Sequence, residues 1–118
     1  MDEIKRQYLL EAGIDVEDSL ERFMGNETLM VKFLLRFPED ENFLRLKRAR
    51  AAGDAGAAFT AAHTLKGVAG NLSMEKLFRQ VDPLVEDLRS EHLAAAAGRM
   101  PALEESYAQV LEALGHLS

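Results

Sequence analysis

Near the C-terminus, Met100, Leu103, Tyr107, Val110, Leu114 and Leu117 follow one another at intervals of three, four, three, four and three residues. An α-helix gathers residues at that spacing onto one face, whereas a strand would scatter them over both. Upstream, Leu77, Val81, Leu84 and Leu88 repeat the pattern as i, i+4, i+7 and i+11, broken only by Pro83. No segment alternates apolar and polar residues for long enough to make a strand, and Ala, Leu, Glu and Arg, all good helix formers, dominate. Each stripe is a narrow single face, which suits antiparallel packing through short connections. The expected fold is therefore all-α: an antiparallel four-helix bundle with additional short N-terminal helical segments.

Breaks fall at Gly13, Gly25-Asn26, Pro38, Gly53-Asp54, Ser73, Ser90 and the region 98–101. A first helix over about 2–12 stops before Gly13. Asp15 is the next N-cap, with Glu17 and Asp18 suiting a helix start, and Asn26 caps the helix that carries Leu29, Met30, Phe33, Leu34 and Phe37. Pro38 then interrupts, as a kink or a short loop, before a segment through Phe43, Leu44, Lys47 and Ala51. Gly53-Asp54 closes that segment and caps a helix over about 55–72. None of these breaks is long enough to be a linker, and the 118 residues suit a single domain over 1–118.

A net charge of −6 argues against nucleic acid as a partner, because neutralising phosphates needs an excess of Lys and Arg. With no cysteine there is no disulfide, thiolate metal site or cysteine nucleophile. No apolar run approaches the roughly 20 residues that span a bilayer, and the opening MDEIKRQYLL has no signal-peptide apolar region. These features predict a cytoplasmic protein without membrane association, and numbering from Met1 favours a free-standing one.

The stretch Ala61-Ala62-His63-Thr64-Leu65-Lys66-Gly67-Val68-Ala69-Gly70-Asn71-Leu72 is unusual. At about 100° per residue, His63, Lys66, Gly67 and Gly70 share one side, joined by Phe59 a turn earlier and Met74 at the far end. Ala58, Ala61, Leu65, Val68, Ala69 and Leu72 take the opposite side, and Thr60, Thr64 and Asn71 lie on a flank. The apolar side supplies a core, so the His63 side is expected to face solvent. Two glycines there cost roughly 0.8–1.0 kcal/mol each relative to Ala. They clear space beside the imidazole and let another protein come close, while Phe59 and Met74 offer apolar contact area.

A neutral imidazole is a usable nucleophile at cellular pH. Lys66, one turn along the same face, can neutralise charge on an incoming phosphoryl group. There is no GxxxxGK[ST] loop and no kinase-type Gly-rich loop, so ATP is not the direct donor and no autokinase activity is expected.

The run from His63 to Leu72 resembles the signature of the histidine-containing phosphotransfer (HPt) domain family, which reads His, two residues, Lys-Gly, small residues, then Leu and Gly. Gly13-Ile14-Asp15, the stretch from Leu20 to Glu27, and Gly53-Asp54 ahead of the histidine are also similar to that family, so the resemblance covers nearly the whole chain. It implies a phosphorelay intermediate, not an enzyme in its own right, with His63 as phosphoacceptor, Lys66 stabilising the phosphate and Gly67 giving access. Phe59, Gly70 and Met74 are the expected docking contacts. Implied partners are response-regulator receiver domains or a hybrid histidine kinase, and the chain is expected to be a monomer. No cofactor is expected on this chain, since Mg2+ belongs to the receiver. Ser73 departs from the family's usual Gly, which predicts a shifted helix terminus there without loss of function.

Other readings fit less well. His92 and His116 lie outside any such constellation and are read as ordinary histidines, and Arg45, Lys47, Arg48 and Arg50 as a solvated helix face. A helical adaptor that binds a receiver or kinase without phosphotransfer would need neither His63 nor Lys66. A di-iron bundle needs paired Glu-x-x-His elements, but residues 60, 89 and 113 are Thr, Arg and Ala. Three scattered histidines do not make a zinc site.

Overall fold

Asp2, Asp15, Asn26 and Asp54 each start a helix by accepting a hydrogen bond from a backbone N–H of the first turn, at Lys5, Asp18, Leu29 and Ala57. A computed structural model describes residues 1–118. It contains α1 (Glu3–Glu11), α2 (Val16–Arg22), α3 (Glu27–Arg36), a 3-10 turn (Phe37–Glu39), α4 (Asn42–Ala51), α5 (Ala55–Asn71), α6 (Glu75–Arg89) and α7 (Leu93–Gly115). Pro38 therefore makes a short connection and not a kink: it opens the 3-10 turn, and Asp40 then accepts from the N–H of Asn42 at 2.9 Å.

Helices α4 to α7 form the bundle, each packed on the next through a connection of three residues, which makes successive helices antiparallel. Phe43 of α4 stacks on Tyr107 of α7, with ring centroids 4.1 Å apart, and closes the bundle on its fourth side. Leu46, Leu65, Leu77, Val81, Leu84, Leu103, Val110 and Leu114 are among the residues buried between them. Helix α1 lies against α7, where Tyr8 stacks on His116 at 3.7 Å. His116 is thus a packing residue.

Three expectations need correction. The region 98–101 is no break, because α7 runs through Gly98 and Pro101 without interruption. The proline removes the N–H that would pair with the carbonyl of Ala97 in a regular helix, and Ala97 is exposed to water. The alanines before it favour helix, and Met100 and Leu103 anchor the turn in the core. Pro83 is carried inside α6 in the same way. Val68 is only half-buried: with Arg22, Phe23, Phe33, Arg36 and Asn71 it lines an open cleft of ≈ 580 Å³ on the flank of α5.

The third correction concerns Ser73, where the helix terminus has not shifted. Helix α5 ends at Asn71, and Ser73 itself adopts the left-handed backbone that glycine usually supplies, at φ +56°. The N–H of Met74 donates to Ala69 O at 2.9 Å and that of Ser73 to Gly70 O at 3.2 Å, so the helix closes in the usual two-bond C-terminal turn. Ser73 Oγ donates to Asp18 Oδ2 at 2.6 Å, and its N-terminal neighbours join in: the Asp15 N–H donates to Ser73 O, and Ile14 and Met74 form a single β-bridge. Gly13 is required here, since its φ is +82° and a Cβ would stand 2.3 Å from Lys76 Cβ.

Candidate functional site

His63 is the central residue of α5 and its imidazole is exposed, while Leu65 behind it is fully buried. Ala58, Ala61, Ala62 and Ala69 are also buried, so small side chains seat α5 close against its neighbours and leave the His63 side outward. The imidazole stacks on Phe59 one turn back, with centroids 5.7 Å apart and planes 18° from parallel. The Arg89 guanidinium, at the end of α6, lies 4.9 Å from the centroid of the same Phe59 ring.

Lys66 lies one turn after His63 on the same face, and its ammonium meets the carboxylate of Asp82 on α6 at 2.6 Å. It also stands 5.7 Å from the centroid of Phe78, one turn before Asp82. Gly67 is exposed, and a Cβ built on it would meet nothing within 4 Å, so the space beside the imidazole is open.

Gly70 serves a different purpose from Gly67. A Cβ there would touch the Phe78 ring at 3.4 Å, an ordinary van der Waals contact, so α6 leaves room for a methyl group at this position but limits anything larger. Met74 is fully buried and is not available for docking. Projecting it along α5 put it on the His63 side, but the turn at Ser73 ends the helix first and swings Met74 inward against Ile14. No three His, Asp or Glu side chains converge anywhere in the chain to hold a metal ion.

The sequence reading missed Phe78, Asp82 and Arg89. A signal was present: positions 78, 82, 85 and 89 form a second i, i+4, i+7, i+11 row, one residue on from the core stripe of α6. Which of its flanks faces α5 depends on how α6 is rotated in the bundle.

Fold and site together define an all-helical bundle that displays one histidine at the middle of a helix, a lysine one turn away and open space over the glycine beside them. Residues 30–113 match the family model for the Hpt domain, and the chain belongs to that family. No curated protein and no solved structure matches it. Hpt domains act in phosphorelay histidine phosphotransfer in two-component signalling, as intermediates and not as kinases, and interact there with receiver domains and kinases. No helix is long and apolar enough to cross a membrane. The match begins at Met30, inside α3, so α1 and α2 lie outside it. They are tied to the bundle by the Ser73–Asp18 hydrogen bond and the Ile14–Met74 bridge.

Proposed function

We propose that this chain accepts a phosphoryl group from a receiver-domain phosphoaspartate onto His63 and passes it to the aspartate of another receiver. The observation that carries this reading is the placement of His63: exposed, central on α5, with Gly67 open beside it. The imidazole nitrogen gives its lone pair to phosphorus as the phosphorus–oxygen bond to the receiver's aspartate breaks. The aspartate leaves as a carboxylate with the bonding pair, and the ring proton stays on the other nitrogen. Lys66 balances charge on the phosphoryl group in flight and on the product. Mg2+ belongs to the receiver in this scheme, so this chain supplies only a positioned nucleophile and a compensating charge. We place the reaction in the cytoplasm, with the chain acting as a monomer.

Incubation with a phosphorylated receiver tests this directly. His63→Gln is expected to abolish labelling, since a carboxamide is no nucleophile, whereas His92→Gln and His116→Gln keep it. The label on the wild-type chain should be acid-labile and base-stable, as a phosphoramidate is. Label that persists in His63→Gln, or that survives acid, places the phosphoryl group elsewhere and overturns the proposal. Receiver binding without any labelling would leave the adaptor reading in its place.

A further inference from the structure

The Lys66 ammonium is already engaged: Asp82 Oδ1 stands 2.6 Å from it, and the Phe78 ring lies at 5.7 Å. Both partners come from α6, one turn apart, and the Phe78 ring lies over Gly70, 3.4 Å from where a Cβ would stand. A distance of 2.6 Å is a short, charge-assisted contact. The pair nevertheless sits at the solvent edge, with the Lys66 side chain 28% and the Asp82 side chain 48% exposed. Pairs so exposed hold their partners only weakly, so that a stronger anion can displace one of them. A phosphoryl group on His63, one turn from Lys66 on the same face, is such an anion, carrying up to two negative charges and three acceptor oxygens.

We propose that Asp82 competes with the phosphoryl group for Lys66: it pairs with the ammonium in the free protein and gives it up when His63 is phosphorylated. This inference rests on His63 being the phosphoacceptor. Asp82 thereby opposes phosphorylation twice, because the Lys66–Asp82 pair must break and because a second anion is left near the phosphoryl group. The protein then holds its phosphoryl group loosely enough to pass it on. Lys66 is shared between two anions, and Asp82 sets the division.

The test is the equilibrium ratio of phosphorylated chain to phosphorylated receiver, measured at low ionic strength for the wild type, D82N, D82E, K66A and the K66A/D82N double variant. D82N is expected to raise the ratio about threefold, the scale of one exposed ion pair, with the effect shrinking as salt is added. D82E keeps the charge and should stay near wild type. In the K66A background the D82N effect should shrink, since only direct repulsion between Asp82 and the phosphoryl group remains. An unchanged or lowered ratio in D82N, or the same factor with and without Lys66, overturns the role of Asp82 while wild-type labelling on His63 stands. Absence of acid-labile label from the wild type is a separate result, and it would remove the phosphoacceptor reading and this inference together.

Discussion

Ser73 Oγ donates a 2.6 Å hydrogen bond to Asp18 Oδ2, joining the end of the histidine helix to a residue 55 positions earlier in the chain. That bond, followed by the one from Arg22, holds the Asp18 carboxyl below the ordinary aspartate value of 3.8. A lowered folded-state pKa adds stability that is present above the ordinary value and lost as pH falls through the folded one. The stability difference between wild type and Ser73→Ala should therefore be constant near neutrality and shrink once the pH drops below about 3.8. Urea denaturation of both proteins across that range checks it, and a difference that does not change with pH would contradict it.

The backbone of Ser73 makes a second, independent expectation. A non-glycine residue in the left-handed region costs about 1–2 kcal/mol, which Ser73→Gly relieves at about 0.5–1 kcal/mol of extra chain entropy. Both Ser73→Gly and Ser73→Ala lose the side-chain bond, but only alanine keeps the strain. The glycine variant should be the more stable of the two by roughly 0.5–1 kcal/mol, measured by chemical denaturation.

Gly67 and Gly70 should respond differently to substitution. Gly67 has open space around it, so Gly67→Ala should stabilise the helix by about 0.5–1 kcal/mol. Gly67→Leu should remain folded by circular dichroism while slowing transfer from a charged receiver. Gly70→Leu should cost stability as well, because the Phe78 ring stands 3.4 Å from the position of the new Cβ. Unchanged transfer rates in Gly67→Leu would show that close approach at this face is not needed.

Met74 offers a control for docking. It is fully buried, so Met74→Ala should destabilise the fold by about 2–5 kcal/mol, the usual cost of emptying a core site. Transfer rates, read on the fraction that remains folded, should match wild type. A selective loss of receiver binding would instead restore Met74 as a docking contact.

Lys66→Ala should leave labelling of His63 detectable but slower, by about tenfold. A charge-stabilising donor in a dry site is worth 100-fold or more, and water at this open face weakens the interaction. Rapid-quench labelling separates this from a folding defect, since the Lys66 side chain is partly exposed and circular dichroism should not change.

Most of the helices could be read from the chain directly, because their causes are local. Asp15, Asn26 and Asp54 cap the helices they precede, and the stripes of α6 and α7 face the core as their spacing requires. The outward side of α5 was equally local: alanines and leucine on one face leave His63, Lys66 and Gly67 on the other. What needed the tertiary structure were features that depend on a second segment. Met74 left the His63 side because a left-handed Ser73, supported by Asp18 from α2, turns the chain before the helical period reaches it. Helix α7 continued through Pro101 because core packing offset one lost hydrogen bond. Asp82 reaches Lys66, and Phe78 rests on Gly70, because α6 is rotated to present that flank to α5. A residue's place on its own helix follows from the 3.6-residue period, whereas the partner it meets depends on how two helices pack, and no spacing within one of them encodes that.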